Sequence, residues 1–503
     1  MSAAVLRGCF AALLLAGAVA PVAASPEVWV VNELSRDVSI LASDTEVVNG
    51  TVSLADLPQP PYGIAFSAVP GHVGRYAFVT QGPFVRVIDT LSRTVVRTVD
   101  VSAFLGLPAV LKGCYAARPR DFLDTGGMPV LRTYLHVVAQ VQPPTGPLEV
   151  RFIVLDQETL ALAPPGTPPI VDDGVLLAAT SGASIDAMDV TVLNAPFGSH
   201  FERAWYTFRE TTPAPTIYAA LVATAQQVGS PWNVVRTRSQ PFTGGTPLPD
   251  AIALDVPYSR NLPLLPLGPL GRMLNLDTES HCDIGGVLRS STVLGPGPGS
   301  FTVLAADRVA DGVPGALRLV DIGTCTQQSF PVGIDPVDVV TESPIDWTKA
   351  FVANRTSDSV TVVRSDGTQA TIALDMLPGA CTRCPRSLMR NFVLPTACTV
   401  TDLLFHEASN GGDLLLSWTP VGCAAGVSFR ISCVCEDPGD CPPGCVPEAA
   451  AGEATLPGVD GGAEVGPLCD GDWKPLGRTV LTSFTHSGGA GGRGACYDID
   501  PEE

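Results

Sequence analysis

Two stretches of this chain, 322 residues apart, share one sequence phrase. Residues 31–40 align with residues 353–362, and each copy has an apolar run, an asparagine (Asn32 or Asn354), a polar turn containing serine, and an alternating strand. A unit that recurs at a fixed offset is typical of a circular or solenoid array. The offset equals about seven steps of 46 residues, near the length of one four-stranded blade. The repeat therefore constrains the fold and leaves the function open.

Glycine and proline are spread along the chain and separate short runs rich in Val, Ile, Thr, Tyr and Phe. This pattern predicts many short strands joined by turns. One unit is predicted with strands from inside to outside at 62–66, 76–80, 84–89 and 94–99. The last unit repeats the plan at 336–340, 349–354, 359–363 and 369–374.

The ends and the middle of this region fit the same plan less regularly. Three strands open the array at 28–31, 38–41 and 47–54. Runs at 134–141, 148–155, 184–193, 203–208 and 216–223 fit two enlarged blades, and runs at 251–256, 286–294, 300–305 and 316–321 fit two more. The Pro-rich stretches 143–147 and 261–271 are expected to be loops on one rim. Seven blades is the prediction, with six or eight as alternatives.

These units resemble a known repeat. Residues 77–81, 85–90 and 94–99, with a second copy at 350–363, resemble the YVTN-type β-propeller repeat of surface-layer and lactonase-like proteins. The resemblance covers residues 27–100 and 330–375 well and implies an all-β propeller over residues 25–378. A propeller closes by pairing both chain ends in one blade, which leaves no exposed edge. Since the first unit lacks an inner strand, we expect residues 379–396, within a Cys-containing linker at 379–398, to supply it.

The composition changes after residue 378. Residues 399–503 resemble a fibronectin type III domain, with Trp418 on the second strand, an aromatic residue on the third and Tyr497 near the last. Trp418 would then lie between the two sheets of a β-sandwich. The departure from that family is an insert at 433–469 that is rich in cysteine, glycine and proline.

Residues 1–24 have the pattern of a secretory signal. Arg7 precedes a short apolar run at 10–19, and small residues precede a cut at Ser25. An uncleaved anchor is the alternative. We expect an exported protein, whether periplasmic, at the cell surface or secreted, with no membrane span. The net charge of −20 without a basic tract argues against nucleic-acid partners and anionic membrane surfaces.

In an exported protein the cysteines are expected to form disulfides before they bind metals. Beyond Cys9 in the signal there are thirteen, an odd number. Cys282 and Cys325 are expected to pair across the sixth unit, and Cys114 is the candidate free thiol. The other disulfide candidates are Cys381, Cys384, Cys398, Cys423, Cys433, Cys435, Cys441, Cys445, Cys469 and Cys496. The spacing from Cys433 to Cys445 would also suit a zinc or iron–sulfur centre, which stays an alternative.

No catalytic signature stands out. The six histidines are isolated, and none lies in a His-Glu-x-x-His pattern. Propeller enzymes place carboxylates, Arg or His at the ends of inner strands, so Asp338, Asp189 and Arg118 are candidates there. Asp and Arg are equally common in turns and at rims, and we therefore assign no catalytic, cofactor or metal residue and expect no cofactor.

Three functional hypotheses follow. The first is an exported, non-enzymatic binding or scaffold protein that uses the propeller rim for an unknown protein or small ligand. The second is a lactonase-like or other hydrolase acting at the central channel. The third is a metal-binding module in the cysteine-rich insert. Inward carboxylates converging on the channel would favour the second hypothesis, whereas a channel lined with Ser, Val and Gly would count against it.

Overall fold

The structure is a computed structural model of the full chain. From residue 399 on, it describes strands and their pairing only. The residues that it describes are 26–70, 72–180, 183–193, 202–212, 216–224, 227–241, 264–267, 270–276, 281–294, 302–308, 312–342, 348–374, 382–391, 399–407, 414–421, 428–435, 446–447, 474–479, 483–486 and 495–502.

The first half of the propeller region is a series of antiparallel sheets. The opening strands are β1 Glu27–Asn32, β2 Asp37–Ala42 and β3 Val47–Ser53 (sheet 1). Sheet 2 follows with β4 Pro61–Phe66, β5 Tyr76–Gln81, β6 Phe84–Asp89 and β7 Thr94–Asp100. After helix α1 Val101–Leu105 come β8 Ala109–Ala116, the hairpin β9 Arg120–Leu123 and β10 Pro129–Arg132, β11 Tyr134–Val141, β12 Glu149–Asp156, helix α2 Gln157–Leu162 and β13 Ile170–Ala178. Strands β8, β11, β12 and β13 form sheet 3.

The second half continues in the same way. Sheet 4 consists of β14 Ser184–Leu193, β15 Arg203–Thr212, β16 Thr216–Ala223 and β17 Asn233–Pro241. Sheet 5 consists of β18 Leu264–Leu267, β19 Arg272–Asn275 and β20 His281–Asp283. Sheet 6 consists of β21 Leu288–Leu294, β22 Thr302–Asp307, β23 Pro314–Asp321 and β24 Gln327–Ile334. Sheet 7 consists of β25 Pro336–Thr341, β26 Lys349–Asn354, β27 Ser359–Arg364 and β28 Gln369–Ala373, and it is followed by β29 Pro385–Asn391.

Strand β29 returns to the start of the chain. It pairs with β1 in antiparallel register, so that sheet 1 has the order β29-β1-β2-β3. A strand from 379–396 therefore takes the inner position that the sequence left empty. The first strand of each neighbouring sheet lies against the next, with contacts from β21 to β25, β25 to β29, β29 to β4, β4 to β8 and β8 to β14. This nearly all-β arrangement of antiparallel sheets is that of a β-propeller.

The core lies between the sheets. Val28 and Val30 of β1 pack with Phe351 of sheet 7, whereas Trp29 and Val31 pack on the other face with Ala77 of sheet 2. All four β1 side chains are buried. A strand that is buried on both faces reads as a continuous apolar run, which explains why the sequence Val28-Trp29-Val30-Val31 does not alternate.

The repeated phrase corresponds to a repeated set of hydrogen bonds. The buried side-chain amide of Asn32 donates to Ser39 Oγ at 2.8 Å. At the aligned position, the buried amide of Asn354 donates to Thr361 Oγ1 at 2.9 Å. Each asparagine thereby fixes the hairpin between the second and third strands of its sheet.

Several elements differ from the sequence-based expectations. Strands β8, β9, β10, β13, β17, β19, β20 and β24 were not predicted, and the predicted strand at 251–256 lies outside the described residues. Strand β18 lies within 261–271, which was predicted as loop, because the run Leu264-Leu265 pairs with β19 despite the flanking prolines. Two short helices were not predicted. Asp100 and Asp156 cap them, accepting hydrogen bonds from the amides of Ala103 and Thr159.

The C-terminal strands form two further sheets. Strands β30 Thr399–Glu407, β31 Leu414–Val421 and β35 Ser483–His486 make one of them. The other is built on β32 Ser428–Cys435, which pairs with β33 Val446–Pro447, β34 Lys474–Thr479 and β36 Ala495–Glu502. The described residues of this region all lie in strands, and its likeness to a fibronectin type III domain stays a prediction.

Candidate functional site

The inner strands of the propeller carry β-bulges near their first residues. In each of six sheets the pairing between the inner strand and its neighbour shifts by one residue or more. A bulge bends a strand locally and redirects a side chain, and bulges are enriched at functional sites. The residues at the shifts are Arg386, Tyr62 with Gly63, Lys112 with Gly113, Met188, Arg289 and Val337.

The bulges lie at one end of the channel, which we call the channel mouth. It is the end at which inner strands such as β4, β8 and β29 begin. At this mouth the guanidinium of Arg386 lies 3.6 Å from the centroid of the Tyr62 ring. Lys112 Nζ lies over the same ring at 4.8 Å. A cation over the face of an aromatic ring is attracted by the ring quadrupole, so Tyr62 holds two cations from two neighbouring sheets.

Two carboxylates extend this cluster in both directions. Glu33 Oε2 accepts hydrogen bonds from Arg386 and Arg355, each at 2.9 Å. On the other side, Asp186 Oδ2 lies 3.1 Å from Arg209, and its Oδ1 lies 3.5 Å from Lys112 Nζ. We call these seven residues the mouth network: Glu33, Tyr62, Lys112, Asp186, Arg209, Arg355 and Arg386.

The mouth network is partly exposed and carries more cations than anions. Its charged side chains retain between 12% and 26% of their accessible surface. It joins four cations to two carboxylates, although the chain as a whole has a net charge of −20. Burial acts to lower the pKa of Arg386, but Tyr62 and Glu33 outweigh it and raise that pKa above its usual value. Arg386 is therefore charged at every physiological pH.

A tighter ring of residues lies further along the inner strands. Asp338 of β25 accepts hydrogen bonds from Ser290 Oγ at 2.6 Å and from the Leu388 amide at 2.7 Å. It also accepts one from the Val339 amide at 2.9 Å. Asp338 thus joins three inner strands, β21, β25 and β29. Desolvation by burial raises the pKa of its carboxyl from 3.8 to about 6 despite these hydrogen bonds.

The opposite side of this ring is lined by glycine. Gly63 of β4 lies against Gly113 of β8, and Gly113 lies against Asp189 of β14. A Cβ atom at Gly113 would lie 2.3 Å from Asp189 Oδ1 and 2.6 Å from Asp189 Cα. Only glycine therefore permits the observed approach of β8 to β14.

The three channel candidates from the sequence have different positions. Asp338 and Asp189 lie on inner strands, but the hydrogen bonds of Asp338 hold strands together. Arg118 is exposed and lies two residues beyond Ala116, the last residue of β8, and therefore at the end of that strand away from the mouth. The mouth network contains none of these three residues.

One histidine is part of a buried polar cluster outside the channel mouth. His136 Nδ1 lies 2.7 Å from the Tyr206 hydroxyl, and its Nε2 lies 2.5 Å from Glu202 Oε1. His136 and Glu202 are fully buried. These hydrogen bonds join sheet 3 to sheet 4. Because no solvent reaches the groups, the cluster offers no surface to a substrate.

The described cysteines are in the following states. Cys282 and Cys325 form a disulfide across 43 residues, with a Cα–Cα distance of 5.4 Å. Cys384 is disulfide-bonded, and Cys114 is a buried free thiol. Cys433 and Cys435 lie on β32, and Cys496 lies on β36. The remaining disulfide candidates lie outside the described residues: Cys381, Cys398, Cys423, Cys441, Cys445 and Cys469.

The described residues contain no group of three or more His, Cys, Asp or Glu side chains that could hold a metal ion. Within the same described part of the chain, no helix has the length and apolarity needed to cross a membrane.

The mouth network was not predicted from the sequence, although one local signal points to part of it. In sheets 1, 2 and 7 the inner strand begins with a proline, and the next residue falls within the bulge. These pairs are Pro385-Arg386, Pro61-Tyr62 and Pro336-Val337. Proline at the first position of a strand lacks an amide for the ladder, and it marks the point where pairing is irregular. Lys112 and Asp186 have no such signal.

Comparisons with known proteins give only distant likenesses. No family model matches the chain, and no curated protein matches it. Among solved structures, the chain is similar to dihydro-heme d1 dehydrogenase NirN in complex with DHE, at 13% identity and a TM-score of 0.36, covering 78% of this chain and 68% of that one.

Two further structures are similar over most of their own length. One is a functionally unknown protein from Desulfotomaculum acetoxidans, at 12% identity and a TM-score of 0.40, covering 73% of this chain and 99% of that one. The other is a streptogramin B lyase, at 9% identity and a TM-score of 0.38, covering 73% and 93%. At these values the likenesses carry no functional argument.

Proposed function

We propose that this protein is an exported, non-enzymatic binding protein that holds its ligand at the channel mouth. The observation that carries the proposal is the mouth network itself. Arg386 and Lys112 lie over the Tyr62 ring there, ion pairs link them to residues of further sheets, and the charged groups stay partly exposed. Preformed clefts with a few convergent polar groups and an aromatic wall are typical of ligand sites.

The polar groups deeper in the channel support binding over catalysis. The Asp338 carboxylate accepts hydrogen bonds from Ser290, Val339 and Leu388. A general base needs a lone pair directed at the proton that it removes. Asp338 instead uses its oxygens to join strands, which favours a structural role.

One observation favours the alternative, a hydrolase acting at the channel. The pKa of Asp338 is raised to about 6, and a pKa shifted towards neutrality by burial is common among catalytic acids and bases. This alternative therefore predicts turnover that depends on Asp338.

A screen of small ligands by thermal shift tests the proposal, since a ligand that binds only the folded state raises its melting temperature. Wild type, Tyr62→Ala and Arg75→Met are compared. Arg75 pairs with Asp89 in the same sheet as Tyr62 but at the other end of the channel. We expect to find ligands that raise the melting temperature of wild type and of Arg75→Met but not that of Tyr62→Ala. Hydrolysis of lactones or esters by wild type, abolished by Asp338→Asn, would instead establish the hydrolase.

Three finer features belong to this proposal. Sheets 1 to 7 support a seven-bladed YVTN-like propeller, with sheet 5 as its three-stranded blade. The C-terminal strands are proposed to form a fibronectin type III-like sandwich that acts as a spacer or a second contact surface. Export is proposed from the signal pattern, and the mass of the mature N-terminus, expected at Ser25, tests it.

A further inference from the structure

We infer that the ligand at the channel mouth carries an oxyanion, a carboxylate or a phosphate, which Lys112 binds. This inference rests on the proposed function and adds the chemical class of the ligand. It is carried by the position of one ammonium group relative to its neighbours.

Lys112 is one of only three lysines in the chain and lies at the bulge of β8. Its side chain is 19% exposed, and its closest carboxylate oxygen, Asp186 Oδ1, is 3.5 Å away. Hydrogen bonds from an ammonium to a carboxylate are usually about 2.7–2.9 Å long. Asp186 lies closer to Arg209, at 3.1 Å. The carboxylate that should neutralise Lys112 is therefore directed mainly at another cation.

The donors of Lys112 are only partly satisfied by protein groups. An ammonium has three N–H donors and no acceptor. Within the described residues, Lys112 has the ion pair with Asp186 and the Tyr62 ring as its polar neighbours. A ring face does not satisfy N–H donors as an oxygen does. The side chain is partly exposed, and an oxyanion that reached it could accept these hydrogen bonds.

The surroundings of Lys112 favour a negatively charged group. Arg386 supplies a permanent positive charge on the same Tyr62 ring, at 3.6 Å from its centroid. The two acidic residues deeper in the channel, Asp338 and Asp189, lie further along the inner strands. They would repel an anion that entered further and so keep it at the mouth.

Calorimetric titration with inorganic phosphate and with succinate tests the inference, with sorbitol as the uncharged probe. The proteins are the full mature chain and its variants Lys112→Met, Lys112→Arg and Arg75→Met. Lys112→Met removes the charge but keeps the length of the side chain. Lys112→Arg keeps the charge, and Arg75→Met removes a charge from the neighbouring sheet 2 at the other end of the channel.

We expect saturable binding of phosphate, succinate or both by wild type, and binding of sorbitol by none of the proteins. Lys112→Met should weaken oxyanion binding about tenfold or more, Lys112→Arg by less, and Arg75→Met not measurably. Raising the salt to about 0.5 M should weaken binding to wild type more than to Lys112→Met. The preferred probe distinguishes a carboxylate ligand from a phosphate ligand.

Two results would overturn the inference. The first is that the wild-type protein binds neither oxyanion at low ionic strength. The second is that wild type and Lys112→Met bind the oxyanions with equal affinity. If uncharged ligands then bind in a manner that depends on Tyr62, the channel mouth remains a binding site and only its oxyanion specificity is wrong. If instead wild type hydrolyses esters through Asp338, the proposed function fails as well.

Discussion

Glu33 and Arg355 follow the two repeated asparagines, 322 residues apart, and form an ion pair at 2.9 Å. They hold the same position in two copies of one sequence phrase, directly after Asn32 and Asn354. The repeat therefore places the two residues at the same level of adjacent sheets, and the circular arrangement brings them together. Arg386 of the closing strand donates to the same Glu33 oxygen. This contact ties the last sheet, the first sheet and the closing strand to one carboxylate.

The first prediction concerns this ion pair. Replacing Glu33 by Gln leaves Arg355 and Arg386 facing each other without their shared carboxylate, and it should lower the free energy of unfolding by about 1–2 kcal/mol. In a double-mutant cycle with Arg355→Met, the coupling should be about 0.5–1 kcal/mol, because both side chains are partly exposed. Denaturant unfolding of the four proteins measures it, and a coupling of zero would show that the pair does not contribute to ring closure.

The second prediction concerns the pH dependence that Asp338 introduces. Its pKa is about 6 in the folded protein against 3.8 as the ordinary value. Between these values the folded state binds more protons than the unfolded state, so stability falls as the pH rises through this window. The contribution to the free energy of unfolding is about 3 kcal/mol, fully lost above pH about 6.

Asp338→Asn removes this dependence, since an amide does not titrate there. The melting temperature of Asp338→Asn relative to wild type should therefore rise between pH 4 and pH 7. Melting curves of both proteins at a series of pH values measure this difference. A constant difference across the range would mean that Asp338 does not titrate in it.

The third prediction compares two glycines of the inner ring. A Cβ at Gly113 would lie 2.6 Å from Asp189 Cα, whereas a Cβ at Gly63 would lie no closer than 3.1 Å to its neighbours. Gly113→Ala must shift backbone and should cost about 1–3 kcal/mol, and Gly63→Ala should cost less. Denaturant unfolding of the two variants ranks them. Equal costs would contradict the close approach of β8 to β14.

The fourth prediction concerns the free thiol. Burial, together with the charge of Asp189, raises the pKa of Cys114 well above its usual range. Since the thiolate is the reactive form, Cys114 should resist alkylation in the folded protein. Iodoacetamide labelling followed by peptide mass spectrometry should find Cys114 unmodified under native conditions and modified after unfolding. Labelling of Cys114 in the folded state would show that this part of sheet 3 opens.

Much of the architecture could be read from the sequence. The doubly apolar strands and the turn after each repeated asparagine depend on residues that are close in the chain, and such local patterns are visible without coordinates. The empty inner position of the first sheet followed from the rule that a ring of sheets has no free edge. The strand within 261–271 was missed because its prolines hid a short pairing run.

The sequence by itself determined that this protein is a ring of small antiparallel sheets closed by a strand that follows the last repeat. Repeat length, strand pattern and turn chemistry are local properties, and they can be read without coordinates. Only the tertiary structure decided which residues form the candidate site. Glu33, Lys112 and Arg386 carry no distinguishing local signature as a set, and their proximity depends on bulges and on circular closure. The polar groups of the site come from segments far apart in the chain, so no single segment encodes it.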